Sequence, residues 1–339
     1  MLADIDYVAL ATELAYARHS PAGAVEDMPG YEVDRVFACR IGHTGFDAIA
    51  FVNPYAQRLI LAIRGSDDAR DFVADANLGI PQYEANRQAL VDYLGSYLSS
   101  FHVILAGHSL GGGLAQYLAY DLALAFPRAR DRITLHTHNS FGGIIGITRM
   151  HGRYDPAVLA GVTVRNIRHP DDPVSRIGGQ VGGNVLHLPD INAHIHDGVL
   201  FSHANARFLP RNGESRLAVL QPAIDDPIDL TRTMLELGPE LSEALSRLIT
   251  RGSRWAALGE VYRLLLRLPV EERNSVLQLL NEILPFRGLW QRSFGRWLRP
   301  RSRHLPTAKE SPHDPSVVQR RVHSSLVGGG AGARHCSEL

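Results

Sequence analysis

The sequence predicts an α/β fold in which a mainly parallel sheet is covered by helices on both faces. Short apolar runs rich in β-branched residues alternate with segments whose apolar residues recur every three or four positions. The run FHVILA at 101–106 is almost continuously apolar, as expected of a strand that is buried on both faces. Strands and helices that alternate in this way indicate a parallel sheet with helices packed against it.

Each element is located by its own pattern. Residues 3–18 carry apolar side chains at helical spacing, and turn residues such as Asn53-Pro54 separate the β-rich runs. The predicted helices cover 3–18, 83–100 and 110–125. The predicted strands cover 31–39, 45–52, 58–64, 101–106, 133–141, 162–167 and 184–188.

The pattern changes beyond about residue 210, where helical periodicity interrupted by prolines replaces the alternation of strands and helices. We therefore expect an α/β domain over residues 1–212 and a helical C-terminal segment over 213–299. The tail 300–339 is basic, rich in proline and glycine and poor in apolar residues. That composition predicts disorder.

Charge argues against a nucleic-acid partner, because 35 basic residues are balanced by 35 acidic ones. The balance is uneven, with 15 basic against 7 acidic residues in 251–339. Two amphipathic stripes with interleaved arginines lie there and predict peripheral contact with an anionic membrane; the alternative is a helical cap packed on the α/β domain. The stripes consist of Trp255, Leu258, Val261, Tyr262 and Leu265, and of Leu289, Trp290, Phe294, Trp297 and Leu298.

The N-terminal stretch does not have the pattern of a signal peptide. It lacks a basic start, and Asp4, Asp6 and Glu13 interrupt its apolar residues. No apolar run reaches the roughly 18 residues typical of a spanning helix. A cytoplasmic location is the default expectation, and export without a cleavable signal stays open.

The segment Gly107-His108-Ser109-Leu110-Gly111 matches G-x-S-x-G. An apolar strand precedes it and a helix follows it, which is the strand–turn–helix of the nucleophile elbow in α/β-hydrolases. This arrangement predicts a nucleophilic Ser109 at a helix N-terminus, where the N–H of Leu110 can stabilise an oxyanion. The alternative is a glycine-rich loop that binds phosphate.

A nucleophilic serine needs a base and a group that orients the base. Asp171 and Asp172 follow the strand predicted over 162–167, at the edge of the sheet where ligand sites lie, although Asp-Asp-Pro could be a plain turn. Candidates for the base are His187, His194, His196 and His203. A competing interpretation is a metal site built from His194 and His196 with Asp190 and Asp197.

These motifs together resemble the class 3 (fungal-type) lipases, and in particular their compact bacterial members. GHSLGGGLAQYLA looks like the elbow of that family, and LAIRGSDDARDFVADANLG resembles its strand ending in F-R-G-[ST]. LHTHNSFGG resembles its strand after the elbow helix, and RHPDDPVSRIG resembles its N-x-x-D-x-V-x-R-L segment. The four motifs occur in the family's order and cover about residues 45–210.

The resemblance implies a role for each matching residue. Ser109 corresponds to the nucleophile, and Asp172 to the orienting aspartate because one residue separates it from Val174. Ser66 corresponds to the first oxyanion donor. His203 corresponds to the base, since the ANARF after it resembles the opening of the family's closing helix.

The resemblance also implies a serine esterase or lipase that hydrolyses carboxylic esters of acylglycerols or phospholipids through an acyl-enzyme. Such chemistry requires no metal or organic cofactor. One alternative is hydrolysis of soluble esters or thioesters on the same residues, since only about 67–82 is available for a lid. The other is a non-catalytic module that binds a lipid or a partner.

Overall fold

A computed structural model describes residues 4–16, 23–41, 44–65, 78–170 and 203–210, most of 172–188, and scattered positions between 215 and 273. In this part of the chain, one nine-stranded sheet has its strands in the order of the sequence. The strands are β1 (Gly23–Ala24), β2 (Glu32–Ile41), β3 (Thr44–Asn53), β4 (Arg58–Ile63), β5 (His102–His108), β6 (Ile133–His138), β7 (Thr163–Arg168), β8 (Val185–His187) and β9 (Gln221–Pro222). The helices are α1 (Asp4–Tyr16), α2 (Ile80–Tyr97), α3 (Leu110–Ala125) and α4 (Ile144–His151).

The centre of the sheet is parallel, which confirms the predicted fold class. Strands β4 to β8 pair in parallel, whereas β1 to β4 and the β8–β9 pair are antiparallel. The difference follows from the connections: short turns join β2 to β3 and β3 to β4, and a short turn permits only antiparallel pairing. Longer connections that carry helices join β4 to β5 and β5 to β6.

Helices cover both faces of the sheet, as the continuous apolar strands predict. Successive side chains of a strand point to opposite faces. In β4, Leu59, Leu61 and Ile63 therefore join the apolar cluster that contains side chains of α2 and α3. Ile60 and Ala62 join the cluster built on α1. The carboxyl ends of the parallel strands are thus fixed between two packed layers.

Several element boundaries differ from the sequence expectation by one to three residues, and α4 was not predicted; two of the differences have a clear physical reason. β6 ends at His138 rather than at residue 141, because Asn139 adopts φ 45° and turns the chain although Phe141 beyond it is buried. α2 begins at Ile80, three residues before the expected start. Pro81 occupies its first turn, where a proline removes no helical hydrogen bond.

The described part of the C-terminal segment contacts the α/β core. Residues 260–261 and 263–265 are helical. Val261 and Leu265 are fully buried in the cluster of α2 and α3, while Arg263 is exposed. This packing of Val261 and Leu265 is the one that the cap alternative expects, while Trp255, Leu258 and Tyr262 of the first stripe lie outside the described residues. The second stripe and the tail 300–339 lie outside the described residues, and the domain boundaries stay predictions. No described helix has the length and apolar content needed to cross a membrane.

Candidate active site

Ser109 occupies the turn between β5 and α3 in a strained backbone conformation. Its φ of 58° and ψ of −126° are unfavourable for a residue with a Cβ. Strain of this kind persists only where the surrounding structure imposes it, and it is concentrated at active sites. The turn therefore has the geometry expected of a nucleophile elbow.

The two flanking glycines of the motif are required by close packing. A Cβ at Gly107 would lie 2.3 Å from the main-chain oxygen of Gly111. A Cβ at Gly111 would lie 2.1 Å from the main-chain oxygen of Ile63. Both distances are too short for any side chain, so the tight turn explains the G-x-S-x-G spacing.

The first turn of α3 supplies main-chain N–H groups beside Ser109. Leu110 is the first residue of α3, and an N–H at that position has no partner within its own helix. The N–H groups of Gly112 and Gly113 instead donate to the carbonyl of Ser109, at 3.1 and 3.3 Å. The N–H of Leu110 therefore lies at the position expected of the predicted oxyanion donor, the residue directly after the nucleophile. Ser66, the other predicted donor, lies outside the described residues.

Asp172 is fully buried beyond the carboxyl end of β7, and each of its oxygens accepts hydrogen bonds. Oδ1 accepts from the N–H of Val174 at 3.2 Å and contacts Nδ1 of His203 at 3.0 Å. Oδ2 accepts from the N–H of Ser175 at 3.0 Å. These three partners compensate the burial of the carboxylate. Asp171 lies outside the described residues.

His203 is held at both its ring and its main chain. Its ring centroid is 4.7 Å from that of His108, the residue directly before Ser109. Its main-chain oxygen accepts from Nε2 of His108 at 2.5 Å and from Nδ2 of Asn139 at 3.2 Å. The structure therefore brings Asp172, His203 and the elbow together at one edge of the sheet.

The remaining histidine candidates are placed as follows. His187 lies in β8 and its Nε2 accepts from Nε of Arg168 at 2.9 Å. His194 and His196 lie outside the described residues, together with the aspartates of the competing metal interpretation. Within the described ranges, no three His, Cys, Asp or Glu side chains form a group that could hold a metal ion.

A buried amide links α3 to the segment that holds Asp172. The Oε1 of Gln116 accepts from the N–H groups of Gly143 and Val181, at 2.8 and 3.1 Å. Its Nε2 donates to Oε1 of Gln180, and Nε2 of Gln180 donates to the carbonyl of Ser175 at 3.3 Å. Since Ser175 in turn donates to Asp172, this network supports the position of the carboxylate.

The sequence reasoning missed His108 and Asn139, both of which contact the main chain of His203. His108 occupies a variable position of the elbow motif, and Asn139 directly follows β6. Both residues lie at the carboxyl ends of predicted parallel strands, where ligand sites occur, and this position could have identified them as candidates.

Comparison with known protein families gives a match over part of the chain. A family model described as Lipase (class 3) matches residues 82–181. The matched segment, about three tenths of the chain, is similar to class 3 lipases. It includes Ser109, Leu110 and Asp172, but it begins after Ser66 and ends before His203. The class 3 lipase match supports, at a general level, a carboxylic ester hydrolase that acts on lipid esters.

Solved structures similar to this chain include the following three. Rhizomucor miehei lipase in its propeptide complex is 18% identical, over 54% of this chain and 67% of that chain, with a TM-score of 0.42. Rhizopus niveus lipase II is 15% identical, over 68% and 87%, with a TM-score of 0.44. A mutant form of MDLA from Penicillium cyclopium is 16% identical, over 68% and 88%, with a TM-score of 0.44. No curated protein sequence matches the chain.

Proposed function

We propose that this protein is a serine esterase that hydrolyses carboxylic ester bonds of lipids through an acyl-enzyme. Ser109 is the nucleophile, His203 the general base and Asp172 the group that orients His203. The N–H groups of Leu110 and Ser66 form the oxyanion hole. The observation that carries the proposal is the 3.0 Å contact between Asp172 and His203 beside a strained serine at a helix N-terminus.

Acylation begins when Ser109 Oγ attacks the ester carbonyl carbon and its proton passes to Nε2 of His203. Asp172 accepts the Nδ1–H of His203, which leaves Nε2 as the proton acceptor. The carbonyl oxygen becomes an oxyanion that the N–H of Leu110 and the positive end of α3 stabilise. His203 then protonates the leaving alcohol, and the acyl group stays on Ser109.

Deacylation repeats these steps with water. His203 takes a proton from the water as its oxygen attacks the acyl carbonyl, and the second tetrahedral intermediate collapses to the free acid. The proton returns to Ser109 Oγ. Every proton transfer uses one imidazole, so the alignment of His203 controls both halves of the reaction.

The proposed substrates are acylglycerols or phospholipids, which the class 3 lipase match supports over soluble esters and thioesters. Hydrolysis of p-nitrophenyl butyrate and of dispersed p-nitrophenyl palmitate by the full chain compares the two classes. Ser109→Ala should lower kcat on the order of 10⁶-fold, because the nucleophile is removed. Ser96→Ala, on the exposed side of α2, is the matched control and should keep wild-type activity.

Each outcome of this comparison decides between the candidates. Turnover of the dispersed long-chain ester supports a lipid esterase, and turnover of the short ester alone identifies a hydrolase of soluble esters. If the wild type hydrolyses neither ester, or if Ser109→Ala stays active, the proposed mechanism is wrong.

A further inference from the structure

A buried histidine that the mechanism does not use lies between the elbow and the base. His108 has both ring nitrogens occupied: Nδ1 is 2.9 Å from the hydroxyl of Tyr16, and Nε2 is 2.5 Å from the main-chain oxygen of His203. Its ring also lies against that of His203. Tyr16 is the last residue of α1, which is remote in sequence from both histidines.

The direction of these hydrogen bonds follows from the groups involved. A carbonyl oxygen can only accept, so Nε2 of His108 carries the hydrogen. Burial, and then the neighbouring His203, lower the pKa of His108 well below its ordinary value, so the ring is neutral and Nδ1 accepts from Tyr16. Burial raises the pKa of Tyr16, which therefore keeps its proton.

The result is a one-way chain of hydrogen bonds from Tyr16 through His108 to the carbonyl of His203. It connects the end of α1 with the elbow and the base, beside the end of β4. The spacing is tight, since a Cβ at Gly65 would lie 2.6 Å from the hydroxyl of Tyr16 and 3.3 Å from Cβ of Ser109.

Helix α1 also holds the chain just after the base. Glu13, one turn before Tyr16, accepts from Nδ2 of Asn205 at 2.7 Å. Residues three apart lie on the same side of a helix, so Glu13 and Tyr16 present one polar face to the segment that carries His203. Asp172 fixes the ring of His203, whereas α1 and His108 fix its main chain.

We propose that Tyr16 and His108 are positioning residues that align His203 with Ser109 by holding the His203 carbonyl. The proposal rests on the proposed function. Misplacement of a catalytic group by about 1 Å can lower a rate by about 10²-fold. Tyr16→Phe, which removes only the hydroxyl, should therefore lower kcat by about 10- to 100-fold and leave KM within about twofold on the butyrate ester.

Two substitutions at position 108 test the direction of the bond. His108→Gln keeps an N–H donor near the place of Nε2 and should keep more activity than His108→Leu, which has none. Tyr7→Phe, on the same helix and packed against Tyr31, is the control and should behave as wild type. A readout that misfolding alone would not move is the rate constant of fluorophosphonate labelling per reactive site. In Tyr16→Phe and His108→Leu this rate constant should fall while the number of reactive sites per chain stays the same.

Failure of this proposal differs from failure of the proposed function. If the wild type hydrolyses the ester and takes the label, but Tyr16→Phe and His108→Leu keep its kcat and labelling rate, the positioning role is wrong and the esterase stands. If the variants lose labelled sites with an unchanged rate per site, Tyr16 and His108 only stabilise the fold, which also overturns the positioning role. A wild type that neither hydrolyses nor labels overturns both.

Discussion

Replacing Ser109 by glycine or by alanine separates the chemistry of this residue from the strain in its backbone. Both changes remove Oγ and should abolish activity. Alanine keeps a Cβ at φ 58° and ψ −126°, whereas glycine adopts that conformation without steric conflict. We therefore expect Ser109→Gly to be more stable than Ser109→Ala.

The size of the difference follows from two opposing contributions. Release of backbone strain should stabilise the folded state by about 1–3 kcal/mol. The greater freedom of glycine in the unfolded chain offsets about 0.5–1 kcal/mol of this. A net gain of about 1 kcal/mol remains, which raises the Tm by roughly 2–4 °C for a domain of 150–250 residues.

Urea unfolding followed by far-UV circular dichroism measures this difference. Ala85→Gly, at an exposed position inside α2, is the matched control and should lose about 1 kcal/mol, since glycine disfavours a helix interior. The sign of the glycine effect should thus be opposite at the two positions. If Ser109→Gly unfolds at the same urea concentration as Ser109→Ala, or at a lower one, the elbow is not strained and the argument from its geometry fails.

Three further changes test the surroundings of the site. Asp172→Asn should lower kcat on the order of 10⁴-fold, because an amide has one acceptor oxygen for the three donors that now reach the carboxylate. Steady-state kinetics measure this loss, and a kcat near that of the wild type would show that Asp172 is not part of the site. Gln116→Leu should destabilise the fold by about 1–3 kcal/mol, because it leaves two main-chain N–H groups without their acceptor; an unchanged urea midpoint would contradict this. Burial lowers the pKa of His138 to about 4, so the unfolded state binds protons more readily and stability falls as the pH drops from the ordinary value of about 6.5 towards 4. Between about pH 7 and pH 5, His138→Gln should therefore lose about 2 kcal/mol less stability than the wild type loses. An equal loss in both proteins would refute the contribution of His138.

The elements at the centre of the fold could be predicted because their signals are local. The strand before Ser109 is a short run of buried apolar residues, and the helix after it has the predicted bounds of Leu110–Ala125. The antiparallel pairing of β3 with β2 and with β4 was less accessible, because the apolar run of β3 resembles that of the central strands. Only the length of the connections distinguishes them.

The candidate site shows the same limit. Ser109 and Leu110 follow from one contiguous motif, whereas Asp172 and His203 are 31 residues apart and their contact depends on how the chain folds. Residue patterns alone left several histidines open as the base, and the family resemblance selected His203. Tyr16 and His108 are 92 residues apart, and no local sequence pattern predicts the hydrogen bond between them.

The central claim is that Ser109 is a nucleophile that His203 activates. Labelling of the full chain with a fluorophosphonate probe, followed by peptide mapping, tests this claim most directly. The account predicts one label per chain on the peptide that contains Ser109, no label in Ser109→Ala, and much slower labelling in His203→Ala. A label on another residue, or a wild-type chain that takes none, would contradict it.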